Sequence, residues 1–174
     1  IRSAYLVHQS DFTACCNPVY LHKYDMTSEI KEGGAFLINC PYKENELEQF
    51  LPDSVKGQLA AKHIRLFLID AIGIGKEIGL NNKISTLLQA AFFGGSGILP
   101  REQAIDFMKK AARKSYGSKG EKIIKMNDQA IERGFDQVQQ ITVPEGWKRS
   151  SNSPLRVDNP LLPDRPEVLF YVKN

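Results

Sequence analysis

The sequence is poor in cysteine, histidine and net charge, and each shortage closes a class of function. Its three cysteines, Cys15, Cys16 and Cys40, make no C-x-x-C pair, and the first two would point to opposite faces of a strand. That pattern argues against a disulfide framework and fits a reducing compartment, with the thiols acting as small buried hydrophobes. His8, His22 and His63 are scattered without ligand spacing, so no metal site is expected. A formal net charge of +3 is too small to point to nucleic acid. No apolar run approaches the roughly 18 residues of a spanning helix, so no membrane partner is expected either. The opening Ile1-Arg2-Ser3 has neither a Met nor a basic-then-apolar leader, and the chain closes on the apolar run Leu169-Phe170-Tyr171-Val172. Both ends read as the interior of a longer polypeptide.

What is present is an ordinary globular composition: 174 residues, 42% hydrophobic and 25% charged, enough for one domain with a real core. The organising stretch is Lys31–Tyr42. Within it Ala35-Phe36-Leu37-Ile38-Asn39-Cys40 is a short apolar run with Gly33-Gly34 before it and Pro41 after it. An unbroken run predicts a strand buried on both faces, because one wet face would impose alternation. Helix-like segments, Pro18–Ile30 and Glu44–Lys62, flank it. Strand between helices is the unit of an α/β fold: a layered αβα domain with a mostly parallel sheet.

In chain order, Ala4–Val7 and Phe12–Cys16 are strand candidates separated by the polar turn His8-Gln9-Ser10-Asp11. Asn17-Pro18 is a good helix start. In the helical segment after the central strand, Pro52-Asp53 predicts a break or restart. Arg65–Asp70 is the next buried strand, followed by a short helix over Ile72–Ile78. From Asn81 strand signals give way to a helical C-terminal half. Asn81-Asn82 can cap a helix carrying Ile84, Leu87, Leu88 and Ala91, broken at Gly94-Gly95-Ser96-Gly97. Pro100 begins an amphipathic helix that Gly117 stops, and a last one runs from Glu121 to about Val138 with Ile124, Asn127, Ile131 and Phe135 on one stripe. Beyond Pro144 the Ser/Asn/Pro-rich chain reads as an extended strap outside the core.

Four candidate sites follow from the residues alone. Gly73-Ile74-Gly75-Lys76-Glu77-Ile78-Gly79 follows a strand but has the spacing of neither a P-loop nor a dinucleotide fingerprint, so close helix packing explains it as well as nucleotide binding. Lys109, Lys110, Arg113, Lys114, Lys119, Lys122 and Lys125 fall mainly opposite the apolar stripes, as a solvated face or a surface for an acidic or phosphate-bearing partner. Asn127 lies on the apolar stripe itself, where an unpaired amide costs roughly 1–3 kcal/mol. It therefore needs an internal backbone partner or a bound polar ligand. Ser85 and Thr86 occupy a helix's first turn, where free N–H groups favour an anion or a simple cap.

The motifs IRSAYLV, ACCNPVYL, KYD, KEGGAFLINCP, LLQAAFFGGSGILP, KKAARKSYGSKGEKIIKMN and VPEGW together resemble pyruvate:ferredoxin (flavodoxin) oxidoreductase. The likeness is to most of its third, gamma-type domain, and runs to about Trp147; RPEVLFYVKN is a looser match. The resemblance implies residues 1–144 as part of that domain and 145–174 as a linker or strap toward the next. It implies an enzyme that decarboxylates pyruvate oxidatively to acetyl-CoA and passes electrons to ferredoxin or flavodoxin. The family's thiamine diphosphate, magnesium and iron–sulfur clusters belong to other domains, so no cofactor and no catalytic residue is expected in this segment. Coenzyme A is the substrate this domain helps to hold. The asparagine of the family's K-M-N motif matches Asn127, and an asparagine before T-x-x-Q matches Ser85, a departure with shorter reach. The family's G-x-D-G-T loop, which also contacts coenzyme A, precedes the first matched motif. Implied partners are the other domains of the same polypeptide, an electron carrier and a second subunit in a homodimer, in the cytoplasm or a hydrogenosome-like organelle. The rival readings are a stand-alone nucleotide-binding α/β domain using Gly73–Gly79 and a non-enzymatic docking module using the basic helices.

Overall fold

The structure, a computed structural model, describes residues 9–80 and 83–150. The expected strand Ala4–Val7 and the Asn81-Asn82 cap lie outside them. The fold is α/β, with a four-stranded, mostly parallel sheet in the order β1 (Ser10–Cys15), β2 (Ile30–Asn39), β3 (Arg65–Ile69) and β4 (Gln139–Ile141). The helices are α1 (Leu47–Phe50), α2 (Asp53–Ala61), α3 (Ala71–Glu77), α4 (Ser85–Ser96), α5 (Arg101–Tyr116) and α6 (Glu121–Gln137). Contacts divide the chain into two compact units. Of the described residues, one holds 9–38, 43–66 and 141–150; the other holds 39–42, 67–80 and 83–140.

In the first unit the run from Ala35 to Ile38 is buried at every position, as an unbroken apolar strand requires. The strand begins earlier than the sequence suggests, at Ile30. Gly33-Gly34 is not a turn in front of the strand but an irregularity within it, where β1 and β2 shift register between Ser10 and Phe12. Gly33 adopts φ +70°, and a Cβ on Gly34 would stand 2.7 Å from Ile30 Cγ2 and 2.9 Å from the Lys31 carbonyl. Both positions therefore require glycine.

The helix expected over Pro18–Ile30 is corrected to a 3-10 turn, Pro18–His22, capped by the Asn17 side chain. Two contacts take the backbone groups a longer helix would need. Asp25 Oδ1 accepts from the Thr27 and Ser28 amides, and the Lys62 ammonium donates to the carbonyls of Thr27, Ser28 and Ile30. Pro52 does mark the restart, standing as the N-cap of α2.

The strap expected from residue 145 is also corrected over its first six residues. Glu145–Ser150 is a 3-10 helix, and Trp147 is 6% exposed. Its indole N–H donates to Glu48. An indole brings a large apolar area that folds inward once its one donor has a partner. Residues 151–174 lie outside the described residues. Beneath the tryptophan, Lys56 is 6% exposed and donates to the Glu48 carbonyl at 3.0 Å and carboxylate at 3.3 Å, with Asp53 2.9 Å away. Burial draws the Lys56 ammonium down, but Asp53 and Glu48 outweigh it and hold its pKa above the usual lysine value. The Trp147 hydrogen bond first, then Lys56, holds Glu48 below the usual carboxylate range.

The second unit carries the helical half. Asn39 Oδ1 accepts from the Ala71 amide at 2.9 Å and Asp70 from the Gly73 amide at 2.8 Å, so two side chains cap the start of α3. The break expected over Gly94-Gly95-Ser96-Gly97 falls at its last residue: α4 continues through Gly94 and Gly95 to Ser96 and ends at Gly97, φ +66°. A Cβ on Gly94 would meet Val138 at 3.0 Å and one on Gly95 would meet Phe67 at 3.2 Å, so these glycines make packing surface rather than ends. Ala90, Ala104, Met108, Ala112, Ile131 and Phe135 form the core between α4, α5 and α6. Gly117 does close α5; three residues of 3-10 helix follow before Gly120 reverses the chain at φ +91°. β4 is a strand the sequence gives no sign of.

Candidate functional site

The site is built by the approach of α4 to α6. A Cβ on Gly134 would stand 2.5 Å from Ala90 Cβ and 2.8 Å from the Leu87 carbonyl, so glycine lets the two helices close together. That closeness carries Thr86, in the first turn of α4, to Asn127 near the middle of α6. The Thr86 hydroxyl donates to Asn127 Oδ1 at 3.0 Å, and Asn127 Nδ2 donates to the Ile123 carbonyl at 2.8 Å. Asn127 is 4% exposed. The internal backbone partner required of a buried amide is thus present, one turn back along its own helix. Thr86 is a second partner that the stripe did not reveal.

Beside this pair lies a cleft of about 560 Å³. Ser85, Thr86 and Asn127 give it polar lining, and Leu80, Ile123 and Met126 an apolar wall. Lys83, Lys119 and Tyr116 complete it, with Gly79 at its edge. The volume falls within the roughly 300–1,000 Å³ of small-molecule sites. Ser85 is exposed at the first residue of α4; the N-cap position is Ile84, which makes no side-chain cap. Both sequence-derived site residues, Ser85 and Asn127, therefore line one cleft. Lys83 was missed, although its place just ahead of the same helix start was a usable signal. Tyr116 was hidden by its position on the apolar face of α5.

The other candidates stay apart from the cleft's polar pair. Gly73 and Gly75 lie inside α3, and the free amide a phosphate would need at Gly73 is taken by the Asp70 carboxylate. A Cβ on Gly73 would fall 2.2 Å from that carboxylate. Asp70 puts a negative charge where a nucleotide would put another. Of the basic helix residues, Lys109 pairs with Glu132, Lys110 with Asp106 at 2.6 Å and Arg113 with Asp128 at 3.2 Å, while Lys119 lines the cleft.

The parallel α/β core with its helical half defines a fold class with a solved counterpart. Pyruvate oxidoreductase subunit PORC of Thermotoga maritima matches with a TM-score of 0.60 at 17% identity, over 77% of this chain and 66% of that one. Residues 1–137 match the family described as Pyruvate ferredoxin/flavodoxin oxidoreductase. The chain belongs to that family. Among relatives, it is 40% identical over 164 residues to a pyruvate-flavodoxin oxidoreductase of Klebsiella pneumoniae, covering 94% of this chain and 14% of that protein. It is 39% identical over 147 residues to a pyruvate:ferredoxin oxidoreductase of Moorella thermoacetica, covering 84% and 13%. The chain thus spans about a seventh of the length of these relatives. Among the described residues no helix is long and apolar enough to cross a membrane.

Proposed function

We propose that this chain is part of the third, gamma-type domain of a 2-oxoacid oxidoreductase, ending near residue 144, with the remainder leading toward the next domain. The whole enzyme oxidatively decarboxylates pyruvate to acetyl-CoA and reduces ferredoxin or flavodoxin, and this segment supplies one wall of the coenzyme A pocket. The observation that carries the reading is the α4–α6 cleft, where Ser85, Thr86 and Asn127 meet although 41 residues separate the hydrogen-bonded pair. Coenzyme A offers amides, hydroxyls and phosphates. A carboxamide locked by two hydrogen bonds can meet such groups without first losing its own freedom. The apolar wall suits the neutral arm that ends in the thiol.

Thiamine diphosphate, magnesium and iron–sulfur clusters belong, in this reading, to other domains. Among the described residues no three His, Cys, Asp or Glu side chains are gathered, so these residues do not fit a cluster or a magnesium site. No step through those groups is assigned to this chain. Its partners are the other domains of its own polypeptide, the electron carrier and a second subunit, in the cytoplasm or a hydrogenosome-like organelle.

In the intact enzyme, Asn127→Ala is expected to raise the KM for coenzyme A about tenfold, the worth of a hydrogen bond to a buried polar group, with pyruvate decarboxylation little changed. Ser85→Asn, with its longer reach, is expected to lower that KM. An unchanged coenzyme A dependence in the Asn127 variant removes the residue from the site. The 174-residue chain alone is expected to bind coenzyme A weakly and to turn nothing over. Micromolar binding by titration calorimetry would overturn the requirement for the family's glycine-rich loop.

A further inference from the structure

We propose that Lys83 and Lys119 form the phosphate-receiving end of the α4–α6 cleft, so that the ligand lies with its anionic nucleotide end at these lysines and its neutral arm along Asn127 and the apolar wall. This rests on the reading of the cleft as a coenzyme A pocket and adds its charged end and the ligand's direction.

In the second unit Arg101, Lys109, Lys110, Arg113 and Arg133 each have a carboxylate partner, and among the described lysines of that unit without one, Lys83 and Lys119 are those that line the cleft. Lys83 and Lys119 line the same cleft from different segments, one just ahead of α4 and one in the 3-10 turn after α5. Among the described residues neither has a carboxylate within ion-pair distance, and no acidic side chain lines the cleft. Two like charges converging on one cavity, without a counter-charge, raise the local potential and favour an anion there. Lys119 is also held in place, its ammonium 5.4 Å from the centre of the Tyr116 ring. The start of α4 adds the same sign of field, because no side chain caps it. A single carboxylate answers one ammonium; a ligand carrying several phosphate charges answers both. Of the groups in coenzyme A, only the nucleotide end has that character. Leu80, Ile123 and Met126 offer the neutral arm no charge at all.

The test uses the intact enzyme carrying this chain, with adenosine 3′,5′-bisphosphate as a competitive probe that has phosphates but no pantetheine arm. In the Lys83→Ala, Lys119→Ala double variant, the KM for coenzyme A and the inhibition constant of the bisphosphate are both expected to rise about tenfold or more, with kcat near its original value. The rise of KM with added salt should flatten at the same time. The Lys→Arg double variant, which keeps both charges, should stay close to the parent and so exclude a folding defect. An unmoved inhibition constant, or a KM that rises equally in the Arg variant, overturns the proposal. Asn127→Ala run alongside separates the two readings. If it raises the KM while the lysine pair does nothing, the pocket stands and its phosphate end does not; if neither changes the KM, both are lost.

Discussion

The Thr86 hydroxyl donates a hydrogen bond to Asn127 Oδ1 at 3.0 Å, with both side chains buried, and so ties the first turn of α4 to the middle of α6. Thr86→Val keeps the shape and leaves the carboxamide oxygen without that donor. The expected loss is about 1–3 kcal/mol of stability, because a buried acceptor stripped of its partner cannot regain water. Urea denaturation of the chain followed by far-UV circular dichroism measures it. A curve that overlays the parent's would mean the bond contributes nothing to the packing of these helices. The same variant should also raise the coenzyme A KM in the intact enzyme, since the amide loses one of the two bonds that orient it.

Two glycines make a matched pair with opposite signs. At Gly134 an added methyl would meet Ala90 at 2.5 Å and the Leu87 carbonyl at 2.8 Å, and neither a backbone atom nor an alanine can turn aside. Gly134→Ala is expected to cost about 1–3 kcal/mol, the usual penalty for overfilling a packed core, despite alanine's better helix propensity. At Gly117 the φ is −55° and nothing lies within 4 Å of an added Cβ. Gly117→Ala is therefore expected to stabilise by about 0.4–1 kcal/mol through the unfolded state. Thermal unfolding of the two variants should move the midpoint in opposite directions. Equal shifts would show that the α4–α6 approach is looser than this geometry.

The Trp147–Glu48–Lys56 contact sets two pH limits on the first unit. Glu48 is held below the usual carboxylate value, chiefly by the Trp147 indole N–H, so its contribution is present above the unfolded pKa and is lost as pH falls through the folded one. Lys56 is held above 10.5, so its contribution is full below that value and is lost as pH rises through the folded pKa. Stability from this cluster should therefore be flat near neutrality and decline at both extremes. Trp147→Phe removes the donor and should move the Glu48 carboxyl back toward its ordinary range, measurable by carboxyl-carbon NMR titration. A titration midpoint left in place would sink the assignment of the indole as its main cause.

The parts of the fold that could be read from sequence are those whose signal is local. The run Ala35–Cys40 has no polar interruption except Asn39, and Asn39 is spent on the Ala71 amide where α3 begins. The stripes of α5 and α6 repeat often enough to fix which faces turn inward. What could not be read depends on neighbours distant in sequence. Gly33-Gly34 and Gly94-Gly95 have the composition of turns, yet Asp11, Val138 and Phe67 decide that they sit inside a strand and a helix. β4 is only Gln139–Ile141, too short to carry a period of its own. At the site, burial of Asn127 followed from its stripe, while Thr86 was legible only as a first-turn residue of its own helix, because its partner stands 41 residues away. Trp147 was concealed because its surroundings have the composition of a linker.

The seat of Trp147 has a consequence for how the chain is made. The indole closes on a carboxylate 99 residues earlier, so α1 waits through the synthesis of the five helices α2 to α6 before its tryptophan arrives. Until then Glu48 and the Lys56 bound to it lack the indole, and a nascent chain stalled with Trp147 still inside the ribosome should be more readily cut by protease there than one in which Trp147 has emerged.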